Sequence, residues 1–389
     1  MNLAERMSHL KTESAFVVLK RARELERIGK HIIHLEIGEP DFPTPKSICE
    51  AGIKAIGDGF TKYEPAQGIL PLREAIAEDI QRTRGVSVHP DQVVITPGAK
   101  PIMFFAILAT VNPGDEVIYP NPGFPVYESV IDFVGAKPVP VPLLEENNFR
   151  LDIDDLKKVL SSKTRMIILN SPQNPTGGML EKEDLEGIAK LTEPYNVIIL
   201  TDEIYKDIIY DGEFHSIYSI PGIGERTIIL DGFSKSFSMT GWRLGYGVMP
   251  KDLASQMALL MINSNSCTAS FTQKAGITAL KESHSEIDHM VAEFKRRRDV
   301  IVEGLNRIPG FSCKMPRGAF YVFPNIRKTG KTAKELEQLL LESAGVATLA
   351  GSGFGKYGEG HLRFSYANSL ENITEALKRI ERTMSSGVK

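Results

Sequence analysis

Two textures of apolar residues alternate along this chain. Stretches such as LPLREAIAEDIQRTRG (70–85) and EDLEGIAKLTEPY (183–195) repeat apolar positions three and four apart, the period of a half-buried helix. Between such stretches lie short runs rich in β-branched residues: QVVIT (92–96), DEVIYP (115–120), RMIILN (165–170), NVIILTD (196–202) and RTIILDG (226–232). These runs are apolar throughout instead of alternating, so both faces are buried, as in parallel strands covered by helices. The last three begin about 30 residues apart, the length of one strand–helix–strand unit. The pattern predicts an α/β domain with a mainly parallel sheet flanked by helices. After residue 280 the texture changes. A long charged helix (286–308) leads to strand-like GAFYVFP, a helix near 335–343, strand-like HLRFSYA and a closing helix. We expect a large domain over 48–280 and a smaller α+β domain over 281–389, with 1–47 forming an arm and the start of the small domain.

Composition narrows the function classes. The 389 residues are 42% hydrophobic and 24% charged with a net charge of -3, which favours neither nucleic acid nor an anionic membrane as partner. The cysteines Cys49, Cys267 and Cys313 form neither a zinc pattern nor a disulfide framework, which suits a reducing cytoplasm. The N-terminal residues are charged throughout and lack the apolar core of a secretion signal. The longest apolar stretch, 102–111, is far short of a membrane span. Asn372-Ile373-Thr374 reads as a chance glycosylation match, and the histidines show no metal-ligand spacing.

In open α/β sheets, ligands sit beyond the carboxyl ends of the strands. Past RMIIL comes NSPQNPTGG, with Asn174; past NVIIL comes TDEIY, with Asp202 and Tyr205; past TIIL comes DGFSK, with Lys235. Past QVVIT comes PGAKPIMF, a glycine-led turn opening a helix, whose free N–H groups and dipole favour an anion. Four adjacent strand ends would thus supply a phosphate cradle, an amide, a carboxylate with a phenol, and a lysine. Pyridoxal phosphate needs such a set: an amine for its Schiff base, a phosphate site, and a carboxylate to keep the ring nitrogen protonated. Asp202 is the candidate carboxylate and Arg243 a candidate phosphate clamp. Tyr205 and Asn174 are candidates for the ring oxygen. Arg243 also lies close enough in sequence to Lys235 to help depress its pKa.

The motifs LEIGEPDFPTP, KYEPAQGILPLREAIA, YPNPGFPVY, NSPQNPTGG, TDEIY, SKSFSMTGWRLGY, PRGAFYVF and LRFSYA follow one another in this order over nearly the whole chain. As a set they resemble class I, aspartate-aminotransferase-type enzymes of pyridoxal-phosphate fold type I. The resemblance implies that Lys235 carries the cofactor as an imine, that Asp202 pairs with the pyridine nitrogen, and that Asn174 and Tyr205 contact the ring hydroxyl. It implies further that Arg243 and the backbone of Ala99 and Lys100 bind the phosphate, which Tyr63 reaches from the partner of a homodimer. Phe124 would stack on the ring. Arg363, the backbone of Gly38 and Asn174 would receive the substrate. One departure is visible: some relatives carry a phosphate-binding serine where this chain has Gly232, with Ser234 and Ser236 as possible substitutes.

The resemblance implies transfer of an amino group between an L-amino acid, with an aspartate or an aromatic or neutral side chain, and a 2-oxo acid such as 2-oxoglutarate. A β-eliminating C–S lyase is the alternative on the same fold, because fold and cofactor do not fix the reaction. A non-catalytic regulator would need a fused DNA-binding segment or a degraded site, and neither is seen. GFGKYG (353–358) satisfies the dinucleotide-binding glycine pattern, but strand-like HLRFSYA follows it where a helix is required, and Lys378 stands where an acidic residue is needed. It reads as a loop near Arg363.

Overall fold

A computed structural model of the chain describes residues 2–385. Its strands are β1 (Ile33–His34), β2 (Val93–Thr96), β3 (Glu116–Asn121), β4 (Lys137–Pro142), β5 (Thr164–Asn170), β6 (Ile198–Asp202), β7 (Thr227–Gly232), β8 (Gly245–Val248), β9 (Tyr321–Val322), β10 (Val346–Ala347), β11 (Leu349–Ala350) and β12 (Leu362–Ser365). Seven form one sheet in the order β2-β8-β7-β6-β5-β3-β4. From β4 to β7 every pairing is parallel, and β5, β6 and β7 are buried at almost every position, as their unbroken apolar runs require.

Two strands escaped the apolar pattern, and both have a physical reason. KPVPVP forms the parallel edge strand β4 although it carries three prolines. Alternate residues of a strand direct their N–H groups to the same side. The spaced prolines therefore leave Val139 and Val141 to pair with β3, and the proline edge offers a partner chain no row of donors. The second is β8, whose glycines hide it and which runs antiparallel to both β2 and β7. It corrects one expectation: QVVIT joins no parallel ladder, and the four strand ends are not contiguous, because β8 separates β2 from β7. The glycines also have a purpose. A Cβ on Gly245 would fall 2.3 Å from the Ala99 nitrogen, so only glycine lets the turn after β2 close over β8.

The helices needed below are α1 (Ser14–Arg27), α2 (Lys46–Gly57), α3 (Leu70–Arg84), α4 (Lys100–Thr110) and α5 (Val126–Phe133). The two helical patterns predicted at 70–85 and 183–195 form as α3 and Lys182–Thr192, and the long charged helix spans His284–Arg307. The helix expected near 335–343 runs Ala333–Leu339 and widens into a π turn at Leu340–Ala344, whereas GAFYVFP contributes only the two residues of β9. β9, β12 and β11 make a small antiparallel sheet, and β1 pairs in parallel with β10. Leu305, Phe320, Leu336, Phe364 and Ile380 share one apolar cluster with Ile33 and Leu35 from the N-terminal side. Ile204, Tyr205 and Ile208, just past β6, join the same cluster, so the carboxyl end of the large sheet abuts the C-terminal packing unit. The glycines of 353–358 lie on short 3-10 turns followed by β12, which excludes the dinucleotide reading. Among the described residues no helix is long and apolar enough to cross a membrane.

Candidate active site

At the carboxyl ends of β5, β6 and β7 opens a cavity of about 410 Å³, and Lys235, Asp202, Tyr205, Asn174, Arg243, Ala99, Lys100, Phe124, Gly38 and Arg363 all line it, whereas Tyr63 does not. Lys235 sits in the turn after β7, where its Nζ donates to the Gly38 carbonyl at 2.5 Å. It lies 5.9 Å from the centre of the Tyr205 ring and 5.8 Å from that of Phe320. Burial among these rings pushes its pKa down to about 8, against the pull of Glu39 and Asp202 and with the help of Arg363 and Arg243. About a tenth of it is therefore free amine at pH 7, several hundred times more than at the ordinary lysine pKa, and this is the form that attacks a carbonyl.

Asp202 ends β6 on the floor of the cavity. Burial raises its carboxyl pKa to about 6, with Asp231 and Glu203 adding to the rise, while hydrogen bonds from the Tyr127 hydroxyl (2.6 Å) and the Ile204 N–H (3.2 Å) oppose it. No Lys or Arg among the described residues lies within ion-pair distance of it. A buried carboxylate without a cation is costly, so the floor is suited to a cationic group bound in the cavity. Tyr127 was not singled out from sequence. It stands within YPNPGFPVY, but an aromatic in an apolar helix turn reads as core.

Beneath the floor, Arg84 of α3 bridges Glu203 and Asp231 with Nη2 at 2.7 and 2.9 Å, and the Tyr246 hydroxyl donates to Asp231 at 2.8 Å. All are buried. The network ties the ends of β6 and β7, hence Asp202 and Lys235, to one another.

The opposite wall is Arg363 on β12. Its Nη1 donates to Asn174 Oδ1 at 3.1 Å, its Nη2 to the Glu36 carbonyl, and its guanidinium stacks 4.5 Å from the Tyr321 ring centre and 5.0 Å from that of Phe354. Its Nε is buried without a partner. Asn174 is in turn fixed by its own N–H bonding to Asn170 Oδ1 at 3.0 Å. The Tyr205 and Tyr321 hydroxyls share a 2.7 Å hydrogen bond, and burial raises the pKa of both, so they stay neutral donors. Tyr321, also missed from sequence, occupies space that a Cβ on Gly38 would take, since such a Cβ would fall 2.0 Å from its hydroxyl.

The remaining end of the cavity is built for an anion. Ala99 stands at the N-cap of α4, no side chain caps the helix, and Pro101 removes one N–H that would be unpaired anyway. Arg243 donates only to the Thr240 and Pro97 carbonyls, at 2.6 and 3.4 Å, and has no carboxylate within ion-pair distance among the described residues. Ser234 lines the cavity and Ser236 does not. Gly232 pairs with Gly245 of β8, and a Cβ there would lie 3.0 Å from the Gly245 Cα, so strand packing sets that residue. Phe124 is half-buried at the cavity wall, its ring edge-on to Tyr127 at 5.6 Å. Tyr63 is 87% exposed and stands apart.

The chain matches the family model for aminotransferases of class I and II over residues 30–380. It belongs to that family. It is 42% identical over 384 residues to an aspartate aminotransferase of Pyrococcus horikoshii, covering 98% of this chain and 97% of the relative. It is 41% identical to aromatic-amino-acid aminotransferase 2 of Thermococcus litoralis, covering 91% and 92%. Among solved structures, the Thermus thermophilus aspartate aminotransferase with maleate superposes with a TM-score of 0.95 at 36% identity, covering 98% of this chain and 100% of that one. This aminotransferase therefore has the type I fold and uses pyridoxal 5'-phosphate, as its family does. The residues fit that group. The cavity offers an amine, an unpaired buried carboxylate, and an anion cradle with an unpaired guanidinium, which match an aldehyde, a pyridinium and a phosphate. The β-eliminating C–S lyase reading draws no support from these relatives.

Proposed function

We propose that this aminotransferase moves the amino group of an L-amino acid, aspartate or an aromatic or neutral one, to a 2-oxo acid, with 2-oxoglutarate as acceptor. The observation that carries this reading is the fixed, two-toothed Arg363 facing the same cavity as Lys235. Every amino donor and 2-oxo acceptor shares an α-carboxylate, and a guanidinium held by Asn174 and Glu36 grips it in one orientation. The Gly38 backbone and Asn174 complete that grip. When bound, pyridoxal phosphate supplies the electron sink that makes the substrate Cα–H acidic. Asp202 would keep the ring nitrogen protonated, and Tyr127 holds one Asp202 oxygen in place. Tyr205 and Asn174 would hydrogen-bond the ring hydroxyl, and Phe124 would cover the ring face. Arg243 and the Ala99 and Lys100 amides would hold the phosphate. Lys235 Nζ would take the substrate Cα proton and return it.

The names of the relatives, aspartate and aromatic-amino-acid aminotransferases, support the donor range. Tyr63 is exposed, as are the apolar residues Ile53, Ile56 and Leu70 close to it in sequence, and this supports a homodimer in which it reaches the partner's phosphate site. The domain division proposed is 48–280 for the large sheet and 281–389 with 1–47 for the rest, and the three free cysteines fit a cytoplasmic setting. A donor screen with 2-oxoglutarate, reading glutamate formed, tests the proposal. Pyruvate and ammonia released from a cysteine conjugate, with no glutamate from any donor, would instead establish the lyase.

A further inference from the structure

The carbonyl that accepts from Arg363 Nη2 belongs to Glu36, whose side chain is itself buried. Among the described residues no Lys or Arg lies within ion-pair distance of that carboxylate. Its Oε1 meets His34 Nδ1 at 2.7 Å, and its Oε2 is buried without a partner. His34 Nε2 in turn meets Glu26 Oε1 of α1 at 3.0 Å. A neutral imidazole carries one N–H and would turn a lone pair toward one of these two carboxylates, so the geometry calls for the doubly protonated ring. The charge that balances buried Glu36 is therefore His34.

The bond to Glu36 raises the His34 pKa above its ordinary 6.5 against the effect of burial, and the charges of Glu36 and Glu26 add to the rise. The proton therefore leaves as pH climbs past 6.5. Wherever in the pair it resides, its loss leaves one more negative charge next to Arg363. The other groups facing the pair hold their charge across this range. Glu26 has its pKa lowered by the bond from His34 and pairs with Arg23 at 3.0 Å, so it stays ionised. β10, the partner of β1, is Val346 and Ala347. Asn368 donates to the His34 carbonyl at 2.9 Å, and Arg379 of the C-terminal helix turns to His31 instead. From β12 comes Arg363 itself. Burial lowers its pKa, while Tyr321, Tyr205, Glu36 and Glu13 oppose that fall, so the Glu36 charge acts on the guanidinium.

We infer that His34 and Glu36 form a pH-responsive positioning pair behind Arg363. While the pair holds its shared proton it is neutral as a whole, and the guanidinium offers its full charge to the substrate's α-carboxylate. When that proton leaves, the hydrogen bond survives but the charge balance does not. The uncompensated Glu36 carboxylate then repels an incoming carboxylate and weakens the hold on donor and acceptor alike. The inference rests on the reading above that Arg363 receives the α-carboxylate.

The test titrates 3-phenylpropionate, a monocarboxylate with no amino group to transfer, into holoenzyme by calorimetry between about pH 6 and 9. Each Kd is divided by that of the double variant His34→Gln/Glu36→Gln, so that the cofactor's own titration drops out of the profile. In wild type the ratio should rise about 3- to 10-fold in one step, the effect of a unit charge acting through partly screened protein, with its midpoint above pH 6.5. That midpoint should coincide with the His34 imidazole titration followed by NMR. Above the step, Glu36→Gln alone should bind the probe about 3- to 10-fold more tightly than wild type. A Kd change by one factor at every pH would reduce the pair to packing and overturn the inference. A flat wild-type ratio, or a midpoint that does not follow His34, would overturn it too. Failure of the underlying reading looks different: Arg363→Lys would leave the wild-type Kd unchanged.

Discussion

Replacing Arg363 by lysine keeps a positive charge in place and removes everything else the guanidinium does. The structure shows what is lost: the fork that bonds Asn174 and the Glu36 carbonyl while presenting the cavity with a fixed edge, and the stacking on Tyr321 and Phe354. A lysine ammonium donates to one carboxylate oxygen at a time, so a bound substrate gains freedom to rotate and its Cα–H bond loses alignment with the ring. One charged hydrogen bond is worth about 1.5–3 kcal/mol, which is a loss of about 10- to 150-fold in kcat/KM. Because both substrates present the same α-carboxylate, the loss should be equal for donor and acceptor. The assay is single-turnover absorbance of each half-reaction, with aspartate or phenylalanine in one direction and 2-oxoglutarate in the other. Amines that lack the carboxylate, poor substrates to begin with, should respond little. If only one half-reaction suffers, Arg363 reads a side chain and the α-carboxylate is held elsewhere.

Asp202→Asn should leave cofactor bound but lower kcat by at least ~10²-fold, about 2.7 kcal/mol in barrier, and near-normal turnover would move the ring-nitrogen partner elsewhere. Tyr127→Phe removes the 2.6 Å donor to Asp202 and should cost at least ~10-fold in kcat with KM little changed; an effect on KM alone would make Tyr127 a packing residue. With the Lys235 pKa lowered from 10.5 to about 8, the free-amine fraction grows as pH rises and saturates above that value, so cofactor uptake by the apoprotein should quicken about tenfold per pH unit and level off near pH 8. A rise that continues toward 10 would contradict the burial argument. Arg84→Met leaves buried Glu203 without its cation and Asp231 with only the Lys206 ammonium, 3.8 Å away, and should destabilise by about 3–5 kcal/mol in denaturant unfolding, whereas an unchanged midpoint would show that Lys206 and Tyr246 suffice.

What could be read from the chain depended on whether one residue's role is local or shared. The parallel strands β5, β6 and β7 were legible because burial on both faces forces continuous apolar runs, and the residues at their ends follow from where such sheets bind ligands. Two strands were hidden for opposite reasons. β4 is spelled in prolines that only an edge tolerates, and β8 in glycines whose purpose, the approach of Ala99 to Gly245, is visible only in space. Ala99, Lys100, Phe124, Gly38 and Arg363 were named through family resemblance, and in the folded chain they line one cavity with Lys235. Tyr127 and Tyr321 carried no signal of their own, since their functional feature is a hydrogen bond to a partner 75 or 116 residues away. Tyr63 faces outward from its own protomer.

The central claim is that Lys235 is the amine that carries the cofactor in a transaminating site. Its most direct test is borohydride reduction of the yellow holoenzyme, followed by peptide mapping of the fixed cofactor. The account predicts loss of the imine absorbance, loss of activity, and label on the peptide containing Lys235 alone, with Lys235→Ala taking up no label and losing transamination by several orders of magnitude. Label on any other lysine, or full activity in Lys235→Ala, would contradict it.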